Sequence, residues 1–335
     1  MDVLELVKEV EGKTILITGA TGLIGKNLIH TLVIYNKQLS KPIRVIAYVR
    51  NLDKAKKIFG IDYEEIEYLV GDINNHIATS EEIDYIIHAA SQTTSKLFVE
   101  QPIKTIQTSI VGTTNILELA KEKRVKKFIY LSTMEVYGYP STDEKICENH
   151  GNNLDSMAIR SCYPESKRIC ENLCVAYMKE FNIPVCIIRL TQTFGIGVSY
   201  NDERVFAEFA RCVIEKRDII LHTKGETKRN YLYTQDAVNA ILTVLVKGEN
   251  GQAYNAANEE TYCSIYDMAQ MVAKKIANNE ISVVIKTDDE NKFGFAPTLK
   301  MNLDTTKLKS LGWYAEIGLE NAYRSMISSM LEDNR

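Results

Sequence analysis

The chain has 335 residues, of which 45% are hydrophobic and 25% charged, and its formal net charge is -4. At roughly 150 residues per domain, this length predicts two lobes, or one large α/β unit with a cap. The near-average composition argues against disordered, collagen-like and coiled-coil proteins, and the mild acidity argues against a nucleic-acid-binding surface. The opening MDVLELVKEVEGKT lacks the pattern of a signal peptide, and no stretch approaches the roughly 18 apolar residues of a membrane helix. We therefore expect a cytoplasmic protein.

Seven cysteines and five histidines are scattered along the chain. They show none of the CxxC or Cys/His spacings typical of zinc sites, and the number of cysteines is odd. We expect reduced thiols and no metal site.

Short apolar runs alternate with longer helical patterns through the first half of the chain. This alternation predicts a parallel sheet with helices on both faces, which is an α/β, Rossmann-like doubly wound fold. The predicted strands are 13–18, 44–49, 67–70, 85–89, 127–132 and 184–190, and the predicted helices are 25–35, 103–122 and 163–181.

After residue 190 the pattern changes to loops and helices around isolated strands. Such a pattern is typical of a smaller lobe over the carboxyl ends of the sheet, where ligands bind in these folds. The segments 233–245 and 253–257 have the pattern of core elements, to which the chain returns. We predict a dinucleotide-binding domain of residues 1–190 with returning segments within 233–257, and a substrate-binding lobe of residues 191–232 and 258–335.

The segment KTILITGATGLIG at residues 13–25 joins a predicted strand to a predicted helix through three glycines. The spacing GxxGxxG permits a tight turn, close approach of the backbone to a pyrophosphate, and close packing of the helix on the strand. The N-terminus of the helix would face the phosphates with its free amides. We therefore predict a dinucleotide site, whose loop residues are Gly19, Thr21, Gly22, Leu23, Ile24 and Gly25.

The second strand ends in Val49, Arg50 and Asn51, without the acidic residue typical of NAD-binding chains. Arg50 can pair with the 2′-phosphate of NADP, and the alternative is a solvated surface arginine. The choice between NAD and NADP therefore inclines slightly to NADP. After the third strand, Asp72 and its neighbour Ile73 are candidates for the adenine edge, although an aspartate there is equally compatible with a simple turn.

Tyr163 and Lys167 lie four residues apart on a predicted helix, so both side chains project from one face. An ammonium beside a phenol lowers the pKa of the phenol, which turns the tyrosine into a usable base for a sugar hydroxyl. The segment STME at residues 132–135 follows the apolar run of a predicted strand, at the carboxyl end where catalytic groups belong. A hydroxyl there could bond the reacting sugar oxygen and Glu135 could act as a second base. Alternatively, Thr133 only caps the strand and Glu135 pairs with a nearby cation.

Together these motifs resemble the extended short-chain dehydrogenase/reductases, and among them the NAD(P)-dependent nucleotide-sugar epimerases and dehydratases. The resemblance covers nearly the whole chain in order. It rests on GATGLIG, HAAS (88–91), VGTTNILELA (111–120), STMEVYG (132–138), the pair Tyr163 and Lys167, GETKRNYLYTQDAV (225–238) and LGW (311–313).

The resemblance implies that Tyr163 removes a proton from a substrate hydroxyl while hydride passes from carbon 4 of the sugar to the nicotinamide. It further implies that Thr133 is the hydroxyl partner and that Lys167 also holds the nicotinamide ribose. Arg229 matches an arginine that contacts the nucleotide diphosphate. The same resemblance assigns Ala89, Ala90 and Ser91 to the cofactor, and Ser132, Met134 and Gln192 to the substrate.

The segment STMEVYG separates the reactions that relatives perform on the 4-keto intermediate. The resemblance implies that simple 4-epimerases usually lack a glutamate at position 135, that dTDP-glucose 4,6-dehydratases carry Thr-Asp-Glu, and that UDP-glucuronate decarboxylases carry Thr-Ser-Glu. Glu135 thus favours chemistry at carbon 5, while Met134 cannot replace the usual dehydratase acid. The segment CYPESKR is closest to the decarboxylases.

A nucleotide-sugar dehydratase is our first hypothesis. The alternatives are a UDP-glucuronate decarboxylase-like enzyme, an epimerase, an NADPH-dependent 4-keto-sugar reductase and, from another class, a non-catalytic dinucleotide-binding regulator. Gln192 and Ser109 replace asparagines common in relatives, which leaves the sugar open. Relatives commonly dimerise through the helices that here span 103–122 and 163–181, so we expect a homodimer. The expected ligand of the protein is a nucleotide-diphosphate sugar, and we expect it to bind neither nucleic acid nor a membrane.

Overall fold

The computed structural model describes residues 2–60, 66–151, 153–287 and 298–333. Residues 288–297 and 334–335 of the predicted lobe lie outside the described residues. The strands are β1 (Thr14–Thr18), β2 (Arg44–Val49), β3 (Ile66–Val70), β4 (Tyr85–His88), β5 (Lys127–Thr133), β6 (Lys145–Ile146), β7 (Val185–Leu190), β8 (Gln192–Phe194), β9 (Ile219–Leu221), β10 (Lys228–Tyr233), β11 (Ala253–Ala256), β12 (Asn258–Ser264), β13 (Val283–Ile285) and β14 (Lys300–Leu303). The α-helices are α1 (Val3–Lys8), α2 (Leu23–Asn36), α3 (Leu52–Phe59), α4 (Ser95–Glu100), α5 (Pro102–Lys123), α6 (Cys162–Phe181), α7 (Val205–Ile214), α8 (Thr234–Lys247), α9 (Ile265–Met271), α10 (Thr306–Lys309) and α11 (Leu319–Asp333).

Seven parallel strands form the main sheet, in the order β11-β7-β5-β4-β1-β2-β3. In β1, Ile15 and Ile17 join the apolar cluster that contains α2 and α8, whereas Leu16 joins the cluster that contains α5 and α6. Alternate residues of one strand therefore enter two cores, as expected for a sheet covered on both faces. The predicted Rossmann-like α/β fold is confirmed, and the predicted strands and helices are present with ends displaced by at most two residues.

A second apolar core lies among the elements outside the main sheet. Strands β12-β10-β14-β6, with β8 beside β10, form a second sheet, and β9 pairs with β13. Phe194, Phe206 and Tyr323 are fully buried in this second core. Trp313, from the segment predicted for the smaller lobe, instead belongs to the core of the main sheet, where its Nε1 donates to the carbonyl of Asp236 at 3.1 Å. The division into two domains stays a prediction.

The strand order reverses between β1 and β4, which in doubly wound sheets creates a crevice at the carboxyl ends of the strands. A cavity of about 1170 Å³ lies at this edge, lined by the segments that follow β1, β2, β3, β4, β5 and β7. None of the described helices has both the length and the hydropathy needed to cross a membrane.

Candidate active site

Three glycines shape the cavity wall between β1 and α2. Gly19 has φ +65°, and a Cβ there would lie 2.7 Å from backbone atoms of Ala89 and Ala90. A Cβ on Gly25 would overlap the carbonyl oxygen of Gly19, so helix and strand approach too closely for any side chain. Gly22 caps the N-terminus of α2 without a side-chain hydrogen bond to its amides. This backbone cradle with open helix amides fits the pyrophosphate of a dinucleotide.

Residues at the ends of β2 and β3 also line the cavity. Asp72 accepts hydrogen bonds from the backbone and side-chain nitrogens of Asn74 at 2.9 and 2.8 Å. These contacts are those of an aspartate in a simple turn, the alternative to a role at the adenine edge. Ile73 is almost fully buried, although it contributes to the cavity wall. Within the described residues, the side chains of Arg50 and Lys54 line the cavity without a hydrogen bond or ion pair. This part of the cavity therefore presents cationic groups available to an anion.

The segment after β4 is held by a buried polar chain. Thr18 Oγ1 accepts from the amide of Ala90 at 3.1 Å and lies 2.7 Å from Nδ1 of His88. Nε2 of His88 is 3.2 Å from Oγ1 of Thr113. Burial lowers the pKa of His88 to about 3, with the charge of Lys167 acting in the same direction. His88 is therefore a neutral structural residue that holds the cavity-lining Ala89, Ala90 and Ser91 in place.

Tyr163 and Thr133 both line the cavity. The ring of Tyr163 is almost fully buried and stacks on Phe98, with centroids 4.3 Å apart and an interplanar angle of 8°. Burial raises the pKa of Tyr163 and the charge of Glu135 raises it further, whereas a hydrogen bond with Thr133 and the charge of Arg160 lower it. The net shift is upward, so the phenolate is scarce at neutral pH but strongly basic.

Lys167 does not counter this upward shift. Its ammonium donates to the carbonyl of Leu131 at 2.7 Å and lies 4.7 Å above the ring of Tyr130. Burial lowers the pKa of Lys167 itself to about 8. The sequence predicted that Lys167 lowers the pKa of Tyr163 toward neutrality. This prediction is wrong, because burial of the phenol dominates and raises its pKa.

Glu135 lies in a 3-10 turn, Met134–Tyr137, directly after β5. Its Oε2 accepts from a guanidinium nitrogen of Arg160 at 2.9 Å, so the glutamate does pair with a nearby cation. Met134 is buried, and its sulfur accepts a hydrogen bond from Oγ1 of Thr191 at 3.3 Å. This wall of the cavity therefore presents one carboxylate and no second acid at position 134.

The hydroxyl of Ser132 is hydrogen-bonded to a buried carboxylate, that of Glu171. It donates to Oε1 of Glu171 at 2.5 Å, and the same carboxylate accepts two hydrogen bonds from Arg189 at 3.0 and 2.6 Å. Because its proton is committed to Glu171, Ser132 is less suited than Thr133 to bind a substrate oxygen.

Two predicted substrate residues lie on the second sheet, and only one of them lines the cavity. Gln192, at the start of β8, lines the cavity. Arg229, on β10, is not among the residues that line it, and its Nε is buried without a hydrogen-bond partner in the described part of the chain. The structure thus leaves Arg229 with a free donor but does not bring it together with the other site residues.

A sequence model for the family described as "NAD dependent epimerase/dehydratase family" matches residues 15–257. The chain belongs to this family. It is 28% identical over 325 residues to UDP-glucuronic acid decarboxylase 1 of Xenopus tropicalis, covering 96% of this chain and 73% of the relative. It is 31% identical over 281 residues to dTDP-D-glucose 4,6-dehydratase of Dictyostelium discoideum, covering 80% of this chain and 62% of the relative.

The fold of this epimerase/dehydratase family member is similar to solved structures. One is the UDP-glucose 4-epimerase of Thermotoga maritima, with TM-score 0.80, 22% identity, and coverage of 96% of this chain and 100% of that one. Another is the UDP-glucuronic acid 4-epimerase of Bacillus cereus in complex with NAD, with TM-score 0.77, 22% identity and the same coverage. The resemblance stated from the sequence is confirmed, and the protein is an enzyme of an NAD-dependent family.

Sequence reasoning missed several residues of this epimerase/dehydratase site. Phe98 was not identified because α4 is short and lacks a periodic pattern. Arg160 stands three residues before Tyr163, a spacing that could have suggested it. Four further cations line the cavity and were not singled out: Lys26, Lys54, Lys104 and Arg204.

Proposed function

We propose that this protein oxidises carbon 4 of a nucleotide-diphosphate sugar and then acts at carbon 5 as a dehydratase. The observation that supports this most directly is that Tyr163, Thr133 and Glu135 line the same cavity as a glycine cradle suited to a dinucleotide. A proton acceptor, a hydroxyl and a carboxylate are the groups that two successive proton abstractions require.

The first step depends on Tyr163. When bound, the dinucleotide supplies a hydride acceptor for carbon 4. The phenolate of Tyr163 takes the proton of the 4-hydroxyl as the carbon–hydrogen bond at carbon 4 breaks, and a ketone forms. Thr133, which hydrogen-bonds Tyr163, holds the phenol oxygen toward the substrate. Because the pKa of Tyr163 is raised, this step should accelerate with rising pH as more phenolate forms.

The second step depends on Glu135. A 4-ketone makes the proton on carbon 5 acidic, and Glu135 removes it with the oxygen that Arg160 leaves free. The electron pair of the broken bond forms an enolate, the carbon 6–oxygen bond breaks, and the hydroxide leaves as water. Since Met134 cannot donate a proton, the protonated Glu135 is our candidate donor to the leaving oxygen. Hydride then returns from the bound dinucleotide to carbon 6, and carbon 5 takes a proton from solvent.

A decarboxylase is the second candidate, and the buried Met134 is the observation that favours it, because loss of carbon dioxide needs no acid for a leaving hydroxide. In this route the bond between carbon 5 and the carboxylate breaks after oxidation, carbon dioxide leaves, and solvent protonates the enolate. The Xenopus relative carries this activity in its name.

We also propose that NADP is preferred over NAD and that the enzyme is a homodimer. Arg50 and Lys54, whose side chains have no partner among the described residues, support the first proposal, because a 2′-phosphate needs such cations. Exposed apolar side chains on α5 and α6 support the second. Arg229, whose buried Nε has no hydrogen-bond partner in the part of the chain that the structure describes, remains our candidate for the nucleotide diphosphate.

Incubation with UDP-glucuronic acid and with dTDP-glucose, followed by mass spectrometry, tests the reaction. Loss of water supports the dehydratase, loss of carbon dioxide the decarboxylase, and unchanged mass an epimerase. Tyr163→Phe should lower kcat at least about 100-fold, because the proton acceptor is removed. Tyr177→Phe, on the same helix but bonded to Glu118, is the matched control and should react normally. Full activity of Tyr163→Phe would show that the mechanism is wrong.

A further inference from the structure

The ion pair between Glu135 and Arg160 joins two separate parts of the active-site wall. Glu135 lies in the turn after β5, and Arg160 lies in the 3-10 turn Ile159–Ser161 that leads into α6, the helix of Tyr163. Only one hydrogen bond joins the two side chains, from a terminal guanidinium nitrogen to Oε2 at 2.9 Å. Oε1 therefore stays outside this contact, in a side chain that lines the cavity.

Arg160 is itself held in place by an aromatic ring. Its guanidinium carbon lies 4.7 Å from the ring centroid of Phe98, a distance at which a cation is attracted to an aromatic face. Phe98 also stacks on the ring of Tyr163. The proton acceptor for carbon 4 and the carboxylate for carbon 5 are therefore positioned against the same ring, the second of them through Arg160.

The contacts of Arg160 contribute little to folding. The other terminal nitrogen, Nη1, is buried and has no hydrogen-bond partner among the described residues, which is unfavourable for a cationic donor. The side chains of the pair are 22% and 30% exposed, and ion pairs of such exposure stabilise proteins weakly. Arg160 also does not line the cavity, so the substrate does not meet it directly.

We propose that Arg160 is a positioning residue, which orients Glu135 for the step at carbon 5 and is not needed for proton transfer to Tyr163. This inference rests on the proposed dehydratase reaction, in which Glu135 removes the proton of carbon 5. Arg160 binds one carboxylate oxygen and directs the other toward the sugar. A glutamate without this contact would keep its chemistry but lose its orientation.

The variant Arg160→Met tests the proposal, since methionine keeps the apolar contact with Phe98 and removes the charge. The full-length enzyme, loaded with its dinucleotide, is mixed with UDP-glucuronic acid or dTDP-glucose in deuterated water. Cofactor reduction, followed by absorbance, reports the Tyr163 step, and deuterium at carbon 5, followed by mass spectrometry, reports the later step. We expect the reduced cofactor to accumulate and deuterium entry to fall about 100-fold, a typical cost of misplacing a reacting group.

Two further variants separate positioning from structure. Arg160→Lys keeps a cation that can reach Glu135, so it should restore part of the deuterium entry. Arg324→Met removes a comparable arginine from its 2.9 Å ion pair with Glu320 on the surface of α11, and should leave both rates unchanged. The melting temperature of Arg160→Met should remain close to that of the wild type.

The proposal is overturned if Arg160→Met slows both steps equally, if it leaves deuterium entry unchanged, or if its effect follows a large fall in melting temperature. In each of these cases the wild type still reacts, so the proposed function survives. If the wild type reduces its cofactor with neither sugar nucleotide, the proposed function fails, and the role of Arg160 fails with it.

Discussion

At the scale of single residues, Lys167 is a cation held where burial opposes its charge. Its pKa falls from 10.5 to about 8, chiefly because the ammonium is removed from water. Between these two pH values the folded protein binds fewer protons at this site than the unfolded chain does. The free energy of unfolding therefore rises with pH between about 8 and 10.5. Below pH 8 the buried charge of Lys167 exerts its whole destabilising effect.

Replacing Lys167 with methionine should stabilise the protein while abolishing activity. The shift in pKa corresponds to about 3 kcal/mol, and the unpaired carbonyl of Leu131 offsets about 1 kcal/mol of it. We expect Lys167→Met to be about 2 kcal/mol more stable than the wild type at pH 7, measured by urea unfolding, with the gap closing between pH 8 and 10.5. Lys179→Met, at an exposed position on the same helix, is the control. A Lys167→Met variant less stable at pH 7 would contradict the burial argument.

At the scale of elements, the turn from β2 into α3 combines helix capping with a cationic surface. Asn51 caps α3 by accepting from the amide of Lys54 at 2.8 Å. This cap fixes the first turn of the helix, so Arg50 and Lys54 flank it at the cavity. The turn is therefore ordered by the side-chain cap of Asn51, while its two cationic side chains remain available to a ligand.

Arg50→Ala should weaken NADP binding and leave NAD binding unchanged. A charge-assisted contact with the 2′-phosphate contributes about 1.5–3 kcal/mol, which corresponds to a rise in Kd of about 10- to 100-fold. Isothermal titration with each dinucleotide measures this without any substrate. Lys57→Ala, on the same helix but away from the cavity wall, should bind both as the wild type does. Equal affinity of the wild type for NAD and NADP would contradict the preference.

The elements themselves were largely predictable, because apolar periodicity and glycine spacing are local properties. The loop from Gly19 to Gly25 and the pair Tyr163 and Lys167 follow from such spacing. The contact of Phe98 with Arg160 does not, since it joins a short helix after β4 to a turn before α6, and only the packed sheet brings them together. The pKa of Tyr163 could not be predicted from the sequence either, because the burial of its ring depends on residues that are distant in the chain.

At the scale of the whole molecule, the net charge of -4 conceals a cationic cavity. Both proposed ligands are anions, so binding depends on local groups and not on the overall charge. The cationic side chains that line the cavity are Lys26, Arg50, Lys54, Lys104, Lys167 and Arg204, whereas its acidic ones are Asp72, Glu135 and Asp202.

The proposed dimer should dissociate when a charge is placed on α5. Apolar side chains exposed on α5 and α6 are Ile103, Ile106, Val111, Ile169, Val175 and Phe181. We expect a two-chain mass by light scattering for the wild type and a one-chain mass for Val111→Glu, since a buried unpaired carboxylate strongly opposes association. Ile34→Glu, at an exposed apolar position on α2, should remain a dimer. A wild type of one-chain mass would rule the dimer out.

Strand β11, one of the two edge strands of the main sheet, comes late in the chain. Strand β11 pairs along β7, yet more than sixty residues separate the end of β7 from the start of β11. During synthesis, β7 is therefore made long before its neighbour and presents an open edge, which in other proteins invites pairing with foreign strands. Only when residue 256 has left the ribosome can β11 cover the edge of β7. Truncation before β11 should therefore yield an aggregating product and not a smaller working enzyme.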